Sequence, residues 1–102
     1  MKTSLVSVTF RKKTMEEIVE LTKKAGLDAI EWGGDCHVLP TDPAAAEKAV
    51  KLCEENGLEI SAYGSYYGKL PDHNFSDVLD TAIALKTPII RIWAGWFGGH
   101  FL

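Results

Sequence analysis

The sequence predicts an α/β fold of parallel (β/α) units, with about three and a half repeats of the unit in 102 residues. The first observation is a period: Gly26 and Gly57, which each follow a predicted helix, are 31 residues apart. Trp32 and Tyr63, which end the next two predicted strands, are separated by the same 31 residues. The second observation is that strands alternate with amphipathic helices, which favours parallel pairing through right-handed crossovers.

The first unit begins with a predicted strand over residues 5–10, a run rich in Val, Thr and Leu. Thr14 and Glu17 have the spacing of a capping box, in which two side chains bind free amides at a helix start. Gly26 is expected to end this helix in a left-handed conformation. Its predicted buried face has helical spacing and consists of Ile18, Leu21, Thr22 and Ala25.

The second unit has a predicted strand over residues 29–32 and a helix that begins at Asp42 and Pro43. Asp is a favoured N-cap residue and Pro a favoured first helical residue, so this start is well defined. Gly57 is expected to close the helix. The predicted buried stripe is Ala46, Ala49, Val50 and Cys53, so Cys53 is interpreted as a small core residue.

The third unit has a predicted strand over residues 59–63 and a helix capped by Asn74, with Asp77 in its first turn. A fourth strand is predicted over residues 89–93, directly after Pro88. The apolar stripe predicted for the third helix is Phe75, Val78, Leu79, Ala82 and Ile83.

Composition excludes several classes of protein. Hydrophobic residues make up 46% and charged residues 25%, which is ordinary for a soluble domain. The net charge is −3 and no basic run occurs, so no nucleic-acid partner is expected. No apolar stretch approaches 18 residues and no signal-peptide core follows Met1, so we expect no membrane span and a cytoplasmic protein. Cys36 and Cys53 are then expected to be free thiols.

Candidate substrate-binding residues lie at strand ends or in the loops that follow. Because the carboxyl ends of parallel strands meet at one edge of a sheet, we expect these side chains to cluster there. The candidates are Glu31, His37, Tyr63, Tyr66 and Trp93.

Each candidate has a structural alternative that the sequence leaves open. Glu31 contacts substrate or a metal shell, or it is the ion-pair partner of Arg91 within the sheet. His37 binds a sugar hydroxyl or a metal, or it is an exposed loop residue. The aromatic residues stack on a sugar ring, or they pack the end of a barrel. Cys36 beside His37 is not interpreted as a nucleophile pair, because adjacent residues of an extended loop are expected to point apart.

Two fold types remain, an open doubly wound sheet and a (β/α) barrel. The dinucleotide fingerprint and the phosphate-binding loop are both absent, which favours the barrel. Residues 30–38, Ile-Glu-Trp-Gly-Gly-Asp-Cys-His-Val, and residues 91–95, Arg-Ile-Trp-Ala-Gly, resemble the xylose isomerase-like TIM-barrel superfamily. The resemblance extends over about residues 4–95. That superfamily includes sugar-phosphate isomerases and epimerases, with endonuclease IV as a relative.

The resemblance implies the amino-terminal half of a TIM barrel, since a full barrel has eight units and about 250 residues. It implies a sugar or sugar phosphate as substrate and a divalent metal (Mn, Mg, Zn or Co) for the full barrel. In the sugar epimerases the metal ligands come from later strands, so no metal ligand is assigned here. No cofactor and no activity are expected for this chain alone. The expected division is a half barrel over residues 1–95 and an atypical apolar tail over residues 96–102.

Two further functions stay open. One is a non-catalytic fragment that self-associates, because an unclosed half barrel leaves two strand edges and one sheet face bare. A homodimer through that face is therefore expected. The other is an endonuclease IV-type phosphodiesterase, which the low basic charge disfavours. The bare face is expected to carry an alternate set drawn from Val6, Val8, Ile60, Ala62, Ile90 and Ile92.

Overall fold

A computed structural model describes residues 3–70 and 73–92. Those residues form a four-stranded sheet of order β1-β2-β3-β4, in which every neighbouring pair is parallel. The predicted α/β fold, with its parallel strands in sequence order, is confirmed. The strands are β1 (Ser4–Val6), β2 (Ala29–Gly33), β3 (Glu59–Gly64) and β4 (Ile90–Arg91), and the α-helices are α1 (Met15–Lys24), α2 (Pro43–Glu55) and α3 (Phe75–Ala84).

The helix starts follow from local side-chain chemistry. The Glu17 amide donates to the Thr14 hydroxyl at 3.1 Å, and the Thr14 amide donates to the Glu17 carboxylate at 2.8 Å, which is the predicted capping box. Asp42 caps α2, and Asn74 caps α3 through the Asp77 amide at 2.9 Å. All three predicted starts are therefore confirmed.

The first two helices are each followed by a glycine with a positive φ. Gly26 has φ 74° and Gly57 has φ 68°, in the left-handed region where a side chain would be strained. These glycines turn the chain from a helix into the next strand. The 31-residue period thus reflects one structural unit repeated in the chain.

The main hydrophobic core lies between the helices and one face of the sheet. The strands contribute Leu5, Ile30, Trp32 and Tyr63 to it, all buried. Cys53 of α2 is 1% exposed, which confirms it as a core residue. The helical members of the core are Met15, Ile18, Val19, Ala46, Ala49, Cys53, Val78 and Ala82.

The first strand is shorter than predicted. It ends at Val6, and Ser7–Phe10 form a short 3₁₀ helix. The last pair of the ladder joins Val6 to Glu31. One step further on, the Gly33 amide donates to the Ser7 side-chain oxygen at 2.8 Å, so a side chain replaces the backbone acceptor and the strand stops.

Two predicted apolar faces are only partly buried. Ala25 is exposed because α1 ends at Lys24. Phe75, Leu79 and Ile83 of α3 are 45%, 42% and 66% exposed. The opposite face of α3 packs against α2, so these three form an exposed row on the helix's free side.

A bulge in β3 changes which residues face the core. Ile30 pairs with Ile60 but Glu31 pairs with Ala62, so Ser61 is an extra residue on β3. Ile60 and Tyr63 consequently both pack on the helix-side core, although regular alternation would separate them. Ile90 also packs on the helix-side core. Of the six residues from which the bare face was expected to draw its set, Ile60 and Ile90 therefore do not belong to that face.

The fourth strand is described only as far as Arg91, and Ile92 follows it. Trp93 and the predicted apolar tail lie outside the described residues. Within residues 3–70 and 73–92, no helix combines the length and hydropathy needed to cross a bilayer.

Candidate functional site

A cleft opens at the carboxyl end of the sheet, on the face opposite the helices. Its volume is about 340 Å³. Val6, Val8 and Ile92 form its apolar part. The rest of the lining comes from the ends of β2, β3 and β4, namely Glu31, Gly64, Ser65, Tyr66 and Arg91.

Glu31 and Arg91 form an ion pair in this cleft. The Arg91 Nη1 atom donates to both carboxylate oxygens of Glu31, at 3.1 and 3.0 Å. The Glu31 side chain is 11% exposed, whereas that of Arg91 is 64% exposed. Glu31 is therefore the ion-pair partner of Arg91, which is one of the two alternatives that the sequence left open. It also lines the cleft.

Gly64 makes room for the Glu31 carboxylate. A Cβ atom added at Gly64 would lie 2.8 Å from Glu31 Oε2, inside van der Waals contact. The next residue fixes the end of β4, since the Ser65 hydroxyl donates to the Arg91 carbonyl at 2.5 Å. The ion pair is thus held by the contact between its side chains, by the space at Gly64 and by the hydrogen bond from Ser65 to the Arg91 backbone.

A second ion pair lies at the rim of the cleft. The Arg11 guanidinium donates to Asp35 through Nη1 and to the Tyr66 hydroxyl through Nη2, the latter at 3.3 Å. These hydrogen bonds raise the pKa of Arg11 above its ordinary value. These contacts join the loops that follow β1, β2 and β3. Arg11 thereby holds the Tyr66 hydroxyl at the rim of the cleft.

His37 lies in the interior instead of the cleft. Its Nε2 is 2.7 Å from the Lys13 carbonyl oxygen and therefore donates to it. In the neutral ring Nδ1 then accepts, and the Ser7 hydroxyl is 3.1 Å away. His37 is 9% exposed, so the alternative that it is an exposed loop residue is wrong. Both of its ring nitrogens bind groups of the protein.

Tyr63 is also buried, at 0% exposure. Its hydroxyl donates to the Val38 carbonyl at 2.7 Å, and burial raises the pKa of the phenol. Trp32 is likewise 0% exposed and belongs to the helix-side core. These two rings pack the end of the sheet, the alternative to sugar stacking that the sequence left open.

The Cys36 thiol is close to His37, contrary to the expectation that the two side chains point apart. Its sulfur lies 3.3 Å from His37 Nδ1. Burial, aided by the charge of Asp35, raises the pKa of this thiol to about 11. A nucleophilic cysteine needs a lowered pKa, so the environment opposes thiolate formation.

Of the five predicted site residues, the structure brings Glu31 and Tyr66 into the cleft. His37 and Tyr63 lie at the same end of the sheet but in the interior, and Trp93 is outside the described residues. Sequence reasoning named Arg91 only as a partner of Glu31 and missed its exposed position in the cleft. The available signal was its place at the end of a strand, the same signal that identified Glu31.

The described residues do not fit a divalent metal. Within residues 3–70 and 73–92, no three or more His, Cys, Asp or Glu side chains converge in a group that could hold one. Glu31, which lines the cleft, and Asp35 are each paired with an arginine. The metal ligands of a full barrel would therefore have to come from residues other than those described here.

Comparison with known proteins gives one informative likeness. No protein-family model matches the chain, and no curated protein is similar enough in sequence to be a relative. Among solved structures, the chain resembles the crystal structure of the probable 3-DHS dehydratase AsbF, involved in petrobactin synthesis, from Bacillus anthracis. The TM-score is 0.65 and the sequence identity 24%.

The match covers 93% of this chain but 39% of the dehydratase chain. At this identity the likeness concerns the fold alone. The chain thus shares its parallel α/β fold with part of a TIM-barrel neighbour.

Proposed function

We propose that this chain is the amino-terminal half of a sugar or sugar-phosphate isomerase- or epimerase-like barrel enzyme. The observation that carries the proposal is the Glu31–Arg91 pair facing a cleft of about 340 Å³ at the carboxyl end of a parallel sheet. That end is where (β/α) barrels hold their active sites. The fold likeness to part of a solved dehydratase supports the barrel architecture of this proposal.

The lining of the cleft suits a small hydroxylated molecule. The Glu31 carboxylate accepts hydrogen bonds, and the Arg91 guanidinium donates them. Val6, Val8 and Ile92 offer an apolar surface for the C–H face of a sugar. The volume is at the lower end of the range for small-molecule sites, which fits a single monosaccharide.

The proposal assigns substrate contacts to this chain and the metal to other parts of a full barrel. A divalent ion (Mn, Mg, Zn or Co) there would polarise the substrate carbonyl. The described residues form no ligand group for it, so the chain alone is proposed to bind sugars without converting them. Glu31, Arg91 and Tyr66 are its proposed substrate-binding residues, and Trp93 stays a prediction.

The test is an NMR titration of the 102-residue chain with fructose and with fructose 6-phosphate, each with and without Mg²⁺ for turnover. We expect saturable shifts at Glu31, Tyr66 and Arg91, no conversion of either sugar, and loss of the shifts in Glu31→Gln. Asp77→Asn on α3, away from the cleft, is the control. Shifts that map elsewhere, or metal-dependent epimerisation by the chain, would contradict the proposal.

A second function, self-association, is favoured by one specific observation. Phe75, Leu79 and Ile83 form an exposed apolar row on α3. Burying one such side chain contributes roughly 1.5–3 kcal/mol, so a second copy that covers the row would be stabilised. Light scattering should give a dimer for the wild type.

The matched variants for this test are Leu79→Glu on the exposed row and Lys51→Glu at an exposed position of α2. We expect Leu79→Glu to yield a monomer and Lys51→Glu to leave the dimer intact. A wild-type chain that stays monomeric at high concentration would rule out self-association, and it would leave the sugar-binding proposal standing.

A further inference from the structure

We propose that Arg11, which lies outside the cleft, is a positioning residue for ligand binding, because it orients the Tyr66 side chain at the rim of the cleft. This inference rests on the proposed function, since it concerns the same cleft. It goes beyond that function by making the affinity for a sugar depend on a residue that does not contact the sugar. The dependence passes through Tyr66.

The first observation is that one guanidinium joins three segments at the carboxyl end of the sheet. Arg11 lies in the segment after β1, Asp35 in the loop after β2 and Tyr66 in the loop after β3. Arg11 donates to the Asp35 carboxylate through Nη1 and to the Tyr66 hydroxyl through Nη2, the latter at 3.3 Å. Because the donors of a guanidinium form a rigid planar fork, the contact with Asp35 determines where the Tyr66 hydroxyl can bind.

The second observation is that Asp35 is a well-held anchor for this fork. Its side chain is 15% exposed, and a carboxylate so far removed from water is costly unless it is paired. The loop that carries Asp35 is closed by a hydrogen bond of 3.0 Å, in which the Val38 amide donates to the Gly33 carbonyl. Arg11 is therefore bound to a group that has a fixed place in the fold.

The third observation is that different parts of the chain hold the backbone and the side chain of Tyr66. The Tyr66 carbonyl accepts from the amides of Lys69 and Leu70, at 3.0 Å each, so a local turn fixes the backbone. Arg11, which is 55 residues earlier in the chain, reaches the hydroxyl at the end of the side chain. This contact restricts the rotamers of Tyr66 before a ligand arrives, which lowers the entropy cost of binding.

The neighbouring tyrosine supplies a comparison within the same loop. Tyr66 lines the cleft, and Arg11 is not among the described residues that line it. The ring of Tyr67 instead packs edge-to-face on Phe75, with the ring centroids 5.3 Å apart. Two adjacent tyrosines are thus held by different contacts, so a change at Arg11 should alter the side chain of Tyr66 and leave that of Tyr67 in place.

The experiment is an NMR titration of the 102-residue chain with fructose, in the wild type and in Arg11→Lys. Lysine keeps a positive charge beside Asp35, but its compact ammonium does not present a planar fork. We expect Arg11→Lys to weaken fructose binding about fivefold, which corresponds to roughly one hydrogen bond, with little change in melting temperature. The control is Lys12→Met at the exposed next position, which should bind fructose as the wild type does.

Two further measurements separate positioning from a general structural effect. Without ligand, the ring resonances of Tyr66 should move in Arg11→Lys, whereas those of Tyr67 should stay. In a Tyr66→Phe background the hydroxyl that Arg11 binds is gone, so Arg11→Lys should cause no additional loss of affinity. Arg11→Gln, checked for an unchanged melting temperature, gives a second removal of the fork.

Wild-type affinity in Arg11→Lys and Arg11→Gln would overturn this inference and leave the sugar-binding proposal intact. Additive losses in Arg11→Lys and Tyr66→Phe would also overturn it, since Arg11 would then act by a route other than Tyr66. Tyr66 ring resonances that stay in place in Arg11→Lys would have the same meaning. If fructose shifts no cleft resonance of the wild-type chain, both the inference and the proposed function fail.

Discussion

Replacing Tyr63 by Phe should destabilise the fold, because it removes the buried hydrogen bond between the Tyr63 hydroxyl and the Val38 carbonyl, 2.7 Å long. Both residues are 0% exposed, so no water can replace the lost donor. A buried carbonyl left without a donor costs about 1–3 kcal/mol. In a domain of this size each kcal/mol lowers the melting temperature by about 4–8 °C, so we expect a drop of at least about 4 °C.

Tyr66→Phe is the matched control, since it deletes the same atom three residues further along the chain. The Tyr66 hydroxyl accepts from Arg11 at 3.3 Å at the partly exposed rim, where water can take over, and we expect a loss below about 1 kcal/mol. Thermal melts followed by circular dichroism measure both variants. Equal losses, or a larger loss in Tyr66→Phe, would refute the assignment of Tyr63 to the interior.

Three further predictions follow from the surroundings of the cleft. Ser7→Ala should lower the free energy of unfolding by about 1–3 kcal/mol in urea melts, because the buried Gly33 amide loses its acceptor; an unchanged midpoint would contradict this. Gly64→Ala should weaken sugar binding with little change in melting temperature, because the added Cβ displaces the Glu31 carboxylate; unaltered titration shifts would argue against that. Alkylation of Cys36 by iodoacetamide should rise with pH through a midpoint of about 11, since only the thiolate reacts; rapid labelling at pH 8 would show that the pKa of this thiol is not raised.

The helix boundaries were predictable because they depend on interactions within a few residues. Thr14, Asp42 and Asn74 each bind an amide three positions ahead in the chain, and no distant contact is needed to place them. The glycines that end α1 and α2 follow from backbone sterics alone. The parallel order of the strands then follows from the spacing of the units.

The candidate site was predictable only in part, because the same local position can hold a cleft residue or a core residue. Glu31 and Tyr66 lie in the cleft as the strand-end argument predicts. His37 follows the same argument but is drawn inward by the Lys13 carbonyl and Ser7, which belong to the loop of another strand. Nothing in the sequence near His37 indicates those partners.

The sequence by itself determined the repeating (β/α) unit, the caps and the buried stripes, because each depends on periodicity and short-range hydrogen bonds. The tertiary structure decided where β1 ends and which faces of β3 are buried. The Ser7 side chain stops β1 only because Gly33 lies beside it, and the extra residue Ser61 reverses the alternation between Ile60 and Tyr63. Both effects come from pairing between strands that are far apart in the chain, and the contacts that cause them exist only in the folded sheet.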